Sequence, residues 1–154
     1  MIVDKLLSPA IRLALSTLTV STQTLTPPGS GQSGVMDLQV ARANGLLATP
    51  YGPGWDINVR GATSGGAATL ALNLITSANA NLSSPVTLFS ISAQALAALN
   101  KFDQFVPLPD SEAYLRYIAW QAVVGTAVFT GGTLSIEFVS DMRRYRAYPA
   151  QGNR

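Results

Sequence analysis

Carboxylate and lysine side chains are the groups left for catalysis in this chain, because it contains no histidine and no cysteine. Their absence excludes Ser-His and Cys-His catalysis, disulfides and the usual zinc ligand sets. A loose acidic group, formed by Asp103, Asp110 and Glu112, offers oxygen ligands but lacks the spacing of a calcium loop. We interpret these three as solvated loop charges, and we predict no catalytic, cofactor or metal site.

A glycine-rich segment, residues 61–66 (GATSGG), resembles a phosphate-binding loop only superficially. It lacks the Gly-Lys-Ser/Thr ending that would reach a phosphate and its magnesium ion. We interpret it as a hairpin turn.

The positive charge of the chain is concentrated in its last dozen residues, which include four of the ten basic side chains. Without these four, six basic residues face eight acidic ones, so the sequence pI of about 9.2 reflects a basic tail and not a basic domain. A nucleic-acid groove would require a broad basic face, which the sequence does not indicate.

Aromatic side chains alternate with the arginines of this tail. The mixture could stack on bases, or it could anchor the tail on another protein, where tyrosine and arginine are common hot-spot residues. We favour the protein contact, with these candidate contact residues: Arg143, Arg144, Tyr145, Arg146 and Tyr148.

The composition is that of one domain with a substantial core and few charges. The chain has 154 residues, of which 47% are hydrophobic and only 12% charged, against roughly 25% charged in a typical soluble domain. Such a surface is either a neutral β-protein surface or one buried against other subunits. No signal peptide is evident, and no apolar run reaches the roughly 18 residues of a membrane span.

The elements that would position any site are strands, and the clearest pair lies in residues 113–141. Residues 114–124 are rich in aromatic and β-branched side chains, and residues 133–140 alternate between polar and apolar. We predict a β-hairpin with one face in the core, in which Arg116 pairs with Glu137 across the strands. The residues expected in the core are Leu134, Ile136 and Phe138.

The same alternation predicts strands at residues 12–25, 35–43, 55–60, 67–76, 86–92 and 101–108. A change of phase between Leu15 and Leu18 indicates a bulge or bend. One helix is predicted at residues 93–99, with Ser92 as its N-cap. The fold class is therefore all-β, a sandwich or barrel of about eight strands with one short helix, and a jelly roll is preferred over an immunoglobulin-like sandwich.

We expect a single β-domain over residues 1–142, with an N-terminal arm and a long loop at residues 26–34, followed by the basic tail at residues 143–154. The loop, TPPGSGQSG, is rich in proline and glycine. Loop and tail are both expected to be contact arms.

A succession of short motifs runs through residues 3–141. In chain order they are DKLL from Asp4, Ser21-Thr22, Asp37-Leu38, GAAT from Gly66, NLITS from Asn73, Pro109, YLRY from Tyr114, GGTL from Gly131 and FVSD from Phe138. In order and spacing this succession resembles the capsid cement (decoration) proteins of tailed bacteriophages, of the Bordetella phage type. The long loop at residues 26–34 and the basic tail depart from that pattern.

The resemblance implies a jelly-roll-like fold, self-association as a homodimer or homotrimer, and binding to the exterior of a capsid shell of the HK97 fold. It implies that the partners are the major capsid protein and the protein itself, with no enzymatic activity, cofactor, nucleic acid or membrane. The location implied is the outside of the virion, after synthesis in the host cytoplasm.

A carbohydrate-binding or receptor-binding β-module of a phage virion is the alternative function, since jelly rolls often carry such sites. It would present Trp55 or Trp120 on the surface near Asp or Asn side chains. Both tryptophans fall in strand phases that predict burial. An enzyme would require two carboxylates poised across a cleft, and the sequence indicates no such pair.

Overall fold

The computed structural model describes residues 11–26, 34–37, 54–107 and 114–139, and its strands form two antiparallel sheets. The described part also contains a 3₁₀ turn, Leu15–Thr17, and one short helix, α1, Leu96–Leu99. Its strands are β1 Ile11–Ala14, β2 Thr22–Thr24, β3 Val35–Asp37, β4 Gly54–Ser64, β5 Thr69–Ser77, β6 Val86–Ala95, β7 Asp103–Pro107, β8 Tyr117–Gly125 and β9 Phe129–Val139.

The strand order is that of a jelly roll. Sheet A runs β1-β9-β4-β7, and sheet B runs β2-β8-β5-β6 with β3 also paired to β8. β5 pairs with one edge of β8, and both β2 and β3 pair with the other edge. On that edge β2 lies opposite residues 121–123, and β3 lies opposite residues 117–119. When β2 and β3 are counted as one interrupted strand, two sheets of four strands result. The predicted all-β jelly-roll class is confirmed.

The core lies between the two sheets and is built by the alternating residues that the sequence indicates. Leu70, Leu72 and Leu74 of β5 are buried, and so are Leu134 and Ile136 of β9. Phe138 is half-buried and packs on the core at its margin. The predicted phases of these strands are therefore confirmed.

The two tryptophans meet across the sandwich. The ring of Trp55 lies edge-on to that of Trp120 at 5.7 Å between centroids and to that of Phe138 at 5.5 Å. Both tryptophans are 3% exposed. Edge-to-face contact is a preferred geometry for aromatic pairs, so these rings contribute packing energy beyond the burial of their area.

The predicted hairpin in residues 113–141 is wrong. β8 belongs to sheet B and β9 to sheet A, so the link between them crosses from one sheet to the other, with Thr126 at φ 69°. Side-chain alternation shows which face of a strand is buried, but it does not show which strand lies beside it. The predicted Arg116–Glu137 pair is wrong for the same reason.

The predicted helix at residues 93–99 is wrong in its first half. β6 continues to Ala95, which pairs with Thr69 of β5, so the helix begins only at Leu96. Ala95, not Ser92, is the N-cap residue, and it makes no side-chain capping bond. Backbone hydrogen bonding between β6 and β5 thus outweighs the helix propensity of Ala93 and Ala95.

The predicted hairpin turn at residues 61–66 is also wrong, because β4 continues to Ser64 and β5 follows in the other sheet. The register of β4 against β9 shifts between Arg60 and Thr63, and Gly61 there has φ 61°. Asn100 holds this bulge, accepting a hydrogen bond from the Ala62 N–H at 2.7 Å and donating one to the Ala62 carbonyl at 3.0 Å. The amide thereby satisfies backbone groups that the bulge removes from the ladder.

The bend predicted between Leu15 and Leu18 is confirmed as the 3₁₀ turn. It carries the chain from β1 in sheet A to β2 in sheet B, and the N–H of Leu18 donates to the carbonyl of Leu15 at 3.0 Å. Leu15 and Leu18 both remain buried on either side of the crossing.

Candidate interaction surfaces

The predicted contact residues of the tail, Arg143, Arg144, Tyr145, Arg146 and Tyr148, lie outside the described residues, as does most of the loop at residues 26–34. Of the loose acidic group, Asp110 and Glu112 also lie outside them, whereas Asp103 is an exposed residue of β7. The described part of the chain gathers no three His, Cys, Asp or Glu side chains that could hold a metal ion.

The outer face of sheet A carries most of the charge in the described residues. The described residues include eight charged side chains in all. Five of them alternate with core residues of sheet A and so point away from the core; together they form the charged face, defined as Arg12, Asp56, Arg60, Asp103 and Glu137.

An ion-pair network ties the edge of this charged face together. Nε of Arg12 donates to Oε1 of Glu137 at 2.7 Å, and Nη2 of the same arginine contacts the same oxygen. The Ser135 hydroxyl also donates to Glu137, at 3.3 Å. The network links β1 to β9, but its partly exposed charges contribute little stability because water screens them.

Asp56 and Glu137 stand directly opposite one another on β4 and β9. Residues paired in this way have Cβ atoms about 4.5–5.5 Å apart, and like charges at that separation repel. Arg12 offsets the repulsion, since its guanidinium binds Glu137. Glu137 is thus held in a structural network, which accounts for the closeness of the Asp56 and Glu137 carboxylates without a catalytic role. Sequence reasoning missed the pair because the register between strands about 80 residues apart cannot be read from alternation.

The outer face of sheet B is uncharged over most of its area. One row crosses four strands in register: Thr24 faces Gln121, Gln121 faces Asn73, and Asn73 faces Ser90. The Ser90 hydroxyl donates to Oδ1 of Asn73 at 2.7 Å. We define the neutral face as this row and the neighbouring one: Thr22, Thr24, Ala71, Asn73, Ser90, Gln121 and Val123.

The charges that sheet B does carry lie at one end and neutralise one another. Arg116 donates to both carboxylate oxygens of Asp37, each at 2.9 Å, and its guanidinium lies 5.1 Å from the centre of the Tyr117 ring. The hydrogen bond to Asp37, and then the charge of Asp37, raise the pKa of Arg116. This bidentate pair fastens β3 to the start of β8.

The cavity that the described residues enclose between the two sheets is too small for a ligand. A cavity of about 10 Å³ lies between the sheets, lined by apolar side chains that include Met36, Trp55 and Trp120. That volume accommodates at most one water molecule. The indole N–H of Trp120 is buried and has no hydrogen-bond partner among the described residues. The large hydrophobic residues that the described part exposes are three valines, Val20, Val86 and Val128, and not aromatic rings.

Comparison with models of known protein families finds no match, and comparison with functionally curated proteins finds none either. Within the described residues, no helix has both the length and the apolar character needed to span a membrane.

Proposed function

We propose that this protein is a structural virion protein, a capsid cement (decoration) protein. It binds the outer surface of a tailed-phage shell of the HK97 fold and stabilises that shell by bridging major capsid subunits. Its partners are the major capsid protein and further copies of itself, as a homodimer or homotrimer. It acts without catalysis, cofactor, nucleic acid or membrane.

The observation that carries the proposal is the division of the described surface into two sheet faces with different chemistry. The charged face offers ion-pairing groups, the neutral face offers small polar groups, and the cavity between the sheets is too small for a ligand. A protein that works by surface contact requires such broad faces and no deep pocket. Small interfaces suffice for a cement protein, because many copies each contribute modest contacts to one shell.

The order of motifs supports the same function. The segments that carry the resemblance to phage cement proteins include Gly66–Thr69 before and into β5, Asn73–Ser77 at the end of β5, Tyr114–Tyr117 leading into β8, and Gly131–Leu134 within β9. These segments belong to the sandwich itself.

Shell binding tests the proposal directly. Purified protein is mixed with DNA-free shells assembled from the major capsid protein of the phage that encodes it, and the shells are sedimented. We expect saturable co-sedimentation and a higher disruption temperature for the decorated shells. An unrelated β-sandwich protein of similar size is the control. If the protein stays in the supernatant at every concentration, or if saturated shells disrupt at the temperature of bare ones, the proposal is wrong.

The carbohydrate-binding or receptor-binding alternative finds no support in the described residues. Its expected feature is an exposed tryptophan, whereas Trp55 and Trp120 are packed against one another in the core. The prediction that both tryptophans are buried is confirmed.

A further inference from the structure

The neutral face differs from the charged face in one physical respect: it carries no charge. Five of the eight described charged side chains belong to the charged face, and Lys101 lies in the turn before β7. The remaining two, Asp37 and Arg116, form the ion pair at the far end of sheet B. The residues of the neutral face are exposed or half-buried, so they are accessible to a partner.

We propose that the neutral face is where a second copy of this chain binds, sheet face against sheet face about a two-fold axis. In such a contact the same patch occurs on both copies, so a charge near the two-fold axis meets its own copy across that axis. An uncharged patch avoids that repulsion. Packing the charged face on a second copy would instead take its charged side chains out of water, which costs free energy unless each one is paired.

The small side chains of the neutral face suit close packing of two sheets. Its central positions are Ala71, Asn73 and Val123, and Thr22 and Ser90 lie on the flanking strands. Sheets pack about 10 Å apart when their side chains interdigitate. The amides and hydroxyls of the Thr24–Ser90 row can bond to the same row of the partner.

β6, the edge strand of sheet B in the described part of the chain, is a less suitable contact for a second copy than the neutral face. The register of β6 against β5 shifts twice, between Leu70 and Leu72 and between Leu74 and Ile75. In both places β6 has one residue more than β5, which is a bulge in the edge strand. Bulges of this kind disrupt the regular row of N–H and C=O groups that an added strand requires.

The accessible area determines how strong the contact is. Toward β3, Ile75 and Ala119 lie on the same outer face but are already buried. The remaining patch spans four strands and about four residues along each, which gives a flat area of about 250 Å² per copy. Two such patches fall below the roughly 1,200 Å² of total buried area typical of stable complexes. We therefore expect a weak dimer that is populated only at high concentration. The inference rests on the proposed function, which places many copies of the protein close together on the surface of a shell.

Sedimentation velocity of the full chain over a range of concentrations, up to about 1 mM, tests the proposal without any shell. The wild type should shift from monomer to dimer, and Gln121→Lys should weaken association at least about tenfold, because like charges then face one another. Thr22→Lys, on an exposed edge position, is the second variant in case a lysine at position 121 lowers stability. The matched control is Ala14→Lys, which adds the same charge at an exposed position of sheet A.

A wild type that remains monomeric at every concentration would overturn the inference, as would lysine variants that associate as tightly as the wild type. Equal weakening by Ala14→Lys would also overturn it, because the effect would then come from net charge and not from the neutral face. Shell binding is measured separately. A protein that dimerises through this face but does not bind shells would contradict the proposed function alone.

Discussion

Gly132 of β9 faces the backbone bulge of β4 with no room for a side chain. Its φ is 109°, and a Cβ atom placed on it would lie 2.6 Å from Cα of Ala62 and 2.9 Å from its nitrogen. Because Ala62 is held by Asn100 on its other side, the bulge cannot move away easily. Here a glycine is required by both conformation and space.

Gly132→Ala should therefore lower the free energy of unfolding by at least about 2 kcal/mol, since it combines a strained φ with a backbone clash. Gly65→Ala is the matched control, because a Cβ there meets no atom within 4 Å and φ is not in the left-handed region. Urea denaturation of both variants measures the difference. Equal stability of the two variants would show that the bulge relaxes freely.

The core-facing residues of β9 should differ in how much stability is lost when their side chains are truncated to alanine. Leu134 is fully buried, so Leu134→Ala should lower the free energy of unfolding by about 3–5 kcal/mol. Phe138 is half-buried, so Phe138→Ala should cost less than the roughly 3–5 kcal/mol expected for a fully buried phenylalanine. Thr133→Ala, exposed on the other face of the same strand, should cost below about 1 kcal/mol. Chemical denaturation measures all three. A larger loss at Thr133 than at Leu134 would contradict the phase assigned to β9.

At the scale of elements, the sequence predicted strand positions and buried faces well but strand partners poorly. The phases of β4, β5 and β9 follow from alternation of apolar residues, which reports burial. The partner of Arg116 is Asp37 of β3 rather than Glu137, because β8 and β9 lie in different sheets. Alternation is identical in a strand that turns back on its neighbour and in one that crosses the sandwich, so pairing across the chain could not be predicted from it.

The candidate surfaces were predictable only in part for the same reason. The low fraction of charged residues indicated a neutral surface. Most of the described charges lie on the outer face of sheet A, whereas a row of uncharged amides and hydroxyls crosses the outer face of sheet B. This distribution depends on register between distant strands, as in the Thr24–Ser90 row.

The prediction for the basic tail, residues 143–154, rests on the sequence alone. Its deletion should leave the melting temperature of the isolated protein nearly unchanged and weaken retention on DNA-free shells. The loss should be more visible as salt rises, because the charged contacts that remain are increasingly screened. Co-sedimentation of full-length and truncated protein at several salt concentrations is the measurement. Equal retention of both forms would rule out the tail as a contact arm on the shell.

At the scale of the whole molecule, the two sheets of the jelly roll present outer faces of different chemistry in the described residues. Sheet A presents five of the eight described charged side chains, and sheet B is uncharged apart from the Asp37–Arg116 pair at one end. A protein with this division can contact two different partners at once, one through charge and one through close packing. In the proposed function these partners are the shell and a second copy.

The pairing of β1 with β9 also governs the time at which the protein can fold during its synthesis. Arg12 and Glu137, which join these strands, are 125 positions apart, and β9 is the strand that pairs with β1 in the described residues. At translation rates of about 5–20 residues per second, β1 waits about 6–25 s for that partner. During this interval Ile11 and Leu13 lack their neighbours in the sheet, Ile136 and Leu134 of β9. Nascent chains arrested before β9 emerges from the ribosome should therefore be cleaved by added protease far faster than chains arrested after it.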